Sequence, residues 1–177
     1  MSGRAVVLVE GDSDRIALET LAARRGRDLA SEGVAVLAIG GAQAVERTVR
    51  GLSGVQIAGL YDVGEERVVL RALDRAGIDP GGFFACDPDL EGELVRALGP
   101  ERMLELVESR GQLGAFTTYR KQPAQREKPL DAQLHGWLHN WKIRYAAPLV
   151  EALDLGRVPR PLDGVLEAVS GSRPSSI

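Results

Sequence analysis

The length, composition and charge of the chain are those of an ordinary globular protein. It has 177 residues, 44% hydrophobic and 27% charged, and a net charge of −3, which favours one domain with a good core. Its single cysteine excludes an internal disulfide, and no apolar run approaches the ~20 residues of a membrane helix. The N-terminal sequence turns acidic too early for a signal peptide, so we expect a cytoplasmic protein that does not contact membranes.

Strand and helix patterns alternate through the first 111 residues. Continuous apolar runs bounded by glycine or polar residues predict buried strands, at residues 5–9, 34–39, 55–61 and 83–86. Apolar residues at helical spacing predict the helices that follow, at residues 12–25, 42–52, 65–77, 89–99 and 100–111. The alternation is typical of an α/β fold with a parallel four-stranded sheet flanked by helices.

The last third of the chain differs in charge and pattern. Residues 110–145 contain seven basic and two acidic residues, whereas residues 1–109 contain 12 basic and 19 acidic ones. The pattern predicts an edge strand at 113–119, helices near 131–141 and 142–154, and a frayed tail beyond. We therefore divide the chain into three parts: an α/β core at 4–111, a basic helical extension at 112–169 and a flexible tail at 170–177.

The basic segment has two interpretations. It is either a solvated face or a surface that contacts phosphates. On the second interpretation the side chains that contact nucleic acid are Lys121, Arg126, Lys128 and Arg144.

Carboxylates follow three of the four predicted strands. Glu10 and Asp14 come after the first strand, Asp62 after the third, and Asp89 and Glu91 after the fourth. Ligands of open parallel sheets bind at the carboxyl ends of the strands. Carboxylates held close together raise one another's pKa, and a divalent cation would neutralise them. Such oxygen ligands suit Mg²⁺, Mn²⁺ or Ca²⁺ better than zinc.

Several neighbouring residues also have a purely structural interpretation. Polar and acidic residues in the first turn of a helix stabilise its N-terminus. This role suffices for Asp12 and Ser13, and it is the commoner one for Glu65 and Glu66.

Two residue pairs in the extension invite other interpretations. His135 and His139 have the i, i+4 spacing of a zinc helix, but they lack the glutamate of His-Glu-x-x-His, and Gly136 weakens the helix. Trp137 and Trp141 share that spacing and are favoured as core residues over platforms for stacked bases.

Three acidic motifs in order resemble the TOPRIM domain. They are VLVEGDSD, AGLYDVGEE and CDPDLEGEL, and they are most similar to the C-terminal TOPRIM nuclease module of OLD-family (overcoming lysogenization defect) ATP-dependent endonucleases. The segment WKIRYAAPLVEAL offers Lys142 for the lysine of that module, and VPRPLDGVLEAV looks like its end. The resemblance covers residues 4–169.

The sequence departs from the family pattern in two respects. The Asp-x-Asp motif reads Asp62-Val63-Gly64, so its second acid is absent, and Glu65 or Glu66 would have to substitute. The 177 residues also contain no Gly-x-x-x-x-Gly-Lys-Ser/Thr phosphate loop. An ATPase, where one is needed, would therefore be a separate chain.

The resemblance implies a metal-dependent endonuclease that cuts DNA, with two cations holding the attacking and leaving oxygens. The cations would be Mg²⁺ or Mn²⁺, with Ca²⁺ as an inert occupant. Glu10, Asp14, Asp89 and Glu91 would hold the first cation. Asp62 and Glu10 would hold the second, and Lys142 would stabilise charge on the phosphate.

Other functions stay open at the level of the sequence. The absent acid at Gly64 also suits a TOPRIM module that binds nucleic acid or a partner without cutting. A phosphorylated receiver-like domain would use Asp62 as phosphoacceptor, but residues 112–120 offer no lysine at the end of a fifth strand. The sequence does not separate RNA from DNA, and it leaves a homodimer open.

Overall fold

The sheet is parallel and four-stranded, as the sequence predicts. The computed structural model describes residues 5–170. The strands lie in the order β2-β1-β3-β4, and Val7 of β1 lies opposite Val36 of β2 and Ala58 of β3. The strand bounds are β1 (Ala5–Val9), β2 (Val34–Ala38), β3 (Gln56–Asp62) and β4 (Phe83–Cys86).

Eight α-helices accompany the sheet within the described residues. They are α1 (Asp12–Arg24), α2 (Val45–Arg50), α3 (Glu66–Ala76), α4 (Leu90–Ser109), α5 (Leu113–Arg120), α6 (Leu130–Leu138), α7 (Lys142–Ala152) and α8 (Arg160–Ala168). None of these helices is both long enough and apolar enough to span a bilayer.

Alternate residues of the strands face two separate cores. Val7 and Val9 pack with α1 and α4 to α8, whereas Val6 and Leu8 pack with α2 and α3. This two-sided burial follows from the period of two along a strand. It explains why β1 is apolar at every position.

Helix α4 joins the two helices that the sequence predicts at 89–99 and 100–111. The backbone at Gly99 is left-handed, with φ 77°, and Pro100 follows it. A left-handed glycine before a proline breaks the hydrogen-bond ladder, so the predicted interruption is present as a kink.

The predicted edge strand at 113–119 is wrong, because this segment is helix α5. Phe116 is fully buried, and its ring lies 5.6 Å from that of Trp137 in α6. Tyr119, one turn later, lies 5.5 Å from the same Trp137 ring. The i, i+3 spacing places both rings on one helical face, and this packing overrides the strand propensity of the aromatic and threonine residues.

The predicted fraying beyond residue 155 is also wrong for helix α8. Leu162, Val165 and Leu166 are buried at helical spacing, and α8 packs against β3 and β4. Gly164 allows this approach, because a Cβ atom there would overlap the ring of Phe84. Residues 171–177 lie outside the described residues, and the three-part division of the chain stays a prediction.

Candidate metal centre

Six side chains singled out in the sequence lie together at the carboxyl edge of the sheet. They come from the loop after β1, the first turn of α1, the end of β3, and the starts of α4 and α7. They are Glu10, Asp14, Asp62, Asp89, Glu91 and Lys142. Each is close enough to others of the set to alter a neighbour's pKa or to form an ion pair with it. The fold therefore assembles one acidic cluster, defined by these six residues, from segments far apart in the chain.

Only Gly11 separates Glu10, which follows β1, from the first residue of α1. The N–H group of Gly11 donates a hydrogen bond to Oδ2 of Asp14 at 2.8 Å. Burial, helped by the charges of Glu91 and Glu10, raises the pKa of Asp14 from 3.8 to about 6 against the effect of that hydrogen bond. Glu10 itself is exposed, so its carboxylate is accessible to a ligand.

Asp62 ends β3 in the middle of the cluster. Burial is the main cause that raises its pKa from 3.8 to about 7, and the charges of Glu10, Asp89 and Asp14 add to it. With a pKa of about 7, the Asp62 carboxyl is partly protonated at neutral pH when no cation is bound.

Asp89 is fixed in place by two neighbours. It is the N-cap of α4, where its Oδ1 accepts a hydrogen bond from Gly92 N–H at 2.8 Å. The imidazole Nε2 of His135 lies 2.8 and 2.9 Å from its two carboxylate oxygens. With Asp89 only 8% exposed, these contacts set the orientation of its carboxylate.

Sequence reasoning missed His135 as a member of the site. The spacing to His139 pointed only to zinc, and the two rings lie 6.4 Å apart in the structure, but His135 faces Asp89. No local signal could have identified this contact, because it depends on the packing of α6 against α4.

Lys142 is the internal counter-ion of the cluster. Its Nζ lies 3.0 Å from Oε2 of Glu91, whose side chain is 5% exposed. Burial by itself would lower the pKa of Lys142, but the charges of Glu91, Asp89 and Asp62 outweigh it and raise the pKa above 10.5. The ammonium group is therefore charged at any physiological pH.

The donor set fits a hard divalent cation in its chemistry. Five carboxylates face one ammonium group, and carboxylate oxygens are the ligands of Mg²⁺ and Mn²⁺. Within residues 5–170, however, no three His, Cys, Asp or Glu side chains already stand in a group that could hold an ion.

Glu65 and Glu66 differ in their relation to the cluster. Burial and the charge of Glu10 raise the pKa of Glu65. Glu66 instead accepts a hydrogen bond from the Tyr61 hydroxyl at 3.3 Å. Gly64, where the family pattern has an acid, faces open space. Of the two substitutes that the sequence left open, Glu65 is the one whose carboxylate lies near Glu10.

The predicted basic residues lie outside the cluster. Lys121, Arg126 and Lys128 are exposed in the segment that joins α5 to α6, and Arg144 is exposed on α7. Among the described residues, no ion pair connects these four to an acid of the cluster. All four cationic side chains are accessible to solvent.

Comparison with known proteins supports the resemblance stated from the motifs. Residues 3–61 match the family model of the overcoming lysogenization defect protein-like TOPRIM domain. This stretch contains Glu10 and Asp14 and stops just before Asp62. No curated protein matches the sequence.

Solved structures extend the likeness to nearly the whole chain. The C-terminal region of the Burkholderia pseudomallei OLD protein aligns with a TM-score of 0.70 at 19% identity, over 96% of this chain and 98% of that one. The C-terminal region of the Xanthomonas campestris pv. campestris OLD protein gives 0.69 at 24%, over 94% and 92%. The likeness includes the helical extension. At 19% and 24% identity, this likeness shows that the fold is shared.

Proposed function

Since residues 3–61 match the OLD-like TOPRIM family model, we propose that the chain is a metal-dependent nuclease that hydrolyses phosphodiester bonds of DNA. One observation carries the proposal. Five carboxylates and one lysine from separate elements converge at the carboxyl edge of a parallel sheet, where α/β proteins bind their ligands. A cluster of this charge is unfavourable for stability alone, which favours a functional reason for it.

The cation in this proposal is Mg²⁺ or Mn²⁺, with Ca²⁺ as an inert occupant. Glu10, Asp14, Asp89 and Glu91 would hold the first ion, and Asp62 with Glu10 would hold a second. When bound, the ions would activate water and stabilise the charge of the phosphate during in-line displacement. His135 keeps the Asp89 carboxylate oriented through its contacts with both oxygens.

Lys142 has two proposed partners, Glu91 and the phosphate of the substrate. In the metal-free protein it neutralises Glu91 at 3.0 Å. In a complex with cation and substrate, the ammonium group of Lys142 would contact the phosphate and stabilise its developing negative charge. The raised pKa of Lys142 keeps it cationic for this purpose.

Glu65 would replace the second acid of the Asp-x-Asp motif, where this chain has Gly64. Its proximity to Glu10 supports this assignment. We expect Glu65→Gln to weaken the binding of Mn²⁺ severalfold in isothermal titration calorimetry. Glu66→Gln is the matched control and leaves binding unchanged, because Glu66 is engaged with Tyr61. Equal effects of the two substitutions would contradict the assignment.

The proposed partners follow from the same resemblance. The four basic residues Lys121, Arg126, Lys128 and Arg144 would contact phosphates that flank the cut, and such contacts serve RNA as well as DNA. An ATPase is the second partner that the resemblance suggests. We place the protein in the cytoplasm, in keeping with its single cysteine.

A second candidate function is a TOPRIM module that binds nucleic acid or a partner without cutting. The specific observation in its favour is that two acids of the cluster already have protein partners, Glu91 with Lys142 and Asp89 with His135. These contacts, and the glycine at position 64 where the family pattern has an acid, favour a site that no longer catalyses cleavage.

Plasmid nicking tests the proposal. The purified chain is incubated with supercoiled plasmid and Mn²⁺ or Mg²⁺, beside Glu10→Gln and the control Glu101→Gln, an exposed glutamate on α4. We expect relaxed or linear products from the unsubstituted chain and the control, and none from Glu10→Gln. If a folded chain that binds Mn²⁺ yields no product, with or without a candidate ATPase, the non-cutting module is favoured.

A further inference from the structure

A groove of about 630 Å³ opens beside the acidic cluster. One wall is the start of α1, with Asp12 and Ser13. The other wall is the turn between α6 and α7 and the start of α7, with Trp141, Lys142, Ile143 and Arg144. Its volume lies within the range of small-molecule sites, roughly 300–1,000 Å³.

The wall formed by α7 is both aromatic and cationic. Trp141 is half-buried, unlike Trp137, which is 6% exposed and belongs to the core. The guanidinium carbon of Arg144 lies 5.5 Å from the centre of the Trp141 ring. Ile143, beside them, is 62% exposed. A flat ring, an apolar neighbour and a mobile cation are the groups that hold a nucleobase and its phosphate.

The groove is continuous with the acidic cluster. Lys142 belongs to both, because it lines the groove while its Nζ contacts Glu91. On the opposite wall, Ser13 directly precedes Asp14. The negative charge of Asp12 is compensated by Arg15, whose Nη2 lies 2.9 Å from its Oδ1. A nucleotide in the groove would therefore meet a net cationic wall and place an adjacent phosphate near the cluster.

We propose that this groove binds an unpaired nucleotide next to the phosphate that is cut, with its base against Trp141 and its own phosphate at Arg144. The inference rests on the proposed nuclease function and narrows its substrate. A base inside an intact duplex is stacked on both sides and cannot reach a protein ring without unstacking. The substrates are accordingly single strands, flaps, frayed ends and the transiently unpaired segments of supercoiled DNA, rather than relaxed uninterrupted duplex.

Fluorescence anisotropy with labelled 20-nucleotide oligonucleotides tests the proposal. The probes are single-stranded dT and U oligomers and a blunt duplex of the same length, with Ca²⁺ present in place of Mn²⁺. The variants are Trp141→Ala, Trp141→Phe and the control Leu155→Ala, which removes an exposed apolar side chain outside the groove. Circular dichroism melts establish that each variant is folded.

We expect Trp141→Ala to weaken the binding of single strands roughly five- to a hundredfold and that of the duplex less than twofold. Trp141→Phe retains most of the affinity, and Leu155→Ala retains all of it. Equal losses on single strand and duplex, no single-strand binding by the unsubstituted chain, or unchanged single-strand binding by Trp141→Ala would each overturn the inference. If single-strand binding depends on Trp141 but the chain never cuts, the inference about the groove is supported and the proposed nuclease function is refuted. If the unsubstituted chain cuts plasmid but Trp141→Ala binds single strands normally, the nuclease function is supported and the inference about the groove is refuted.

Discussion

The substitution Asp62→Asn should stabilise the metal-free protein at neutral and alkaline pH. The pKa of Asp62 is raised from 3.8 to about 7 by burial and by the charges of Glu10, Asp89 and Asp14. A carboxyl with a raised pKa is protonated more readily in the folded than in the unfolded state. The folded state therefore loses stability as the pH rises from about 4 to about 7. An amide of the same shape carries no charge and avoids this loss.

The expected size of the effect is modest because Asp62 is only half-buried. A change in pKa from 3.8 to about 7 corresponds to an upper bound of ~4 kcal/mol at pH 8. Screening by the water that still reaches the side chain lowers the expected gain to ~1 kcal/mol. At pH 4, where Asp62 is protonated in the folded protein, the gain should vanish.

Urea unfolding in EDTA at pH 4, 6 and 8 measures this gain. Asp74→Asn serves as control, since Asp74 is exposed on α3 and its substitution should change the free energy of unfolding by less than ~0.5 kcal/mol. A destabilised Asp62→Asn at pH 8, or a gain that does not grow between pH 4 and pH 8, would refute the electrostatic account of the cluster. A substitution that stabilises the protein at a functional position is the expected sign of a trade-off between stability and activity.

Two further predictions concern the ion pair and the last helix. Lys142→Met leaves the buried carboxylate of Glu91 without its partner and should destabilise the metal-free protein by ~2 kcal/mol. Adding Glu91→Gln should restore part of this loss in urea unfolding, and no restoration would contradict the pairing. Gly164→Ala forces a methyl group into the Phe84 ring and should lower thermal stability by ~1–3 kcal/mol. Gly114→Ala on α5, which faces open space, should be neutral or stabilising, and similar melting temperatures for both would refute the packing of α8 against β4.

The strands and the acidic edge could be predicted from the sequence because their signals are local. An apolar run such as Ala5–Val9, buried at every position, is recognisable without knowledge of its partners. Since parallel strands end at one edge, the acids after β1, β3 and β4 had to meet there. The structure places Glu10, Asp62 and Asp89 accordingly.

The helical extension was harder to predict because packing decides its structure. Residues 113–119 are rich in threonine and aromatic residues, and only the contacts of Phe116 with Trp137 and the rest of the core make them helical. The prolines at 159 and 161 suggested irregular structure, but they stand at the start of α8, where proline is tolerated. The contact of His135 with Asp89 joins residues 46 positions apart and has no local signal at all.

The proposed function requires the acidic cluster to bind a divalent cation. The most direct measurement is anomalous X-ray diffraction from a crystal of the chain grown with Mn²⁺. We predict an anomalous peak for Mn²⁺ at the cluster, with Lys142 displaced from Glu91. The ion should be coordinated by Glu10 and by at least two of Asp14, Asp62, Asp89 and Glu91. No peak at the cluster at saturating Mn²⁺, with the 3.0 Å pair of Lys142 and Glu91 still intact, would contradict it.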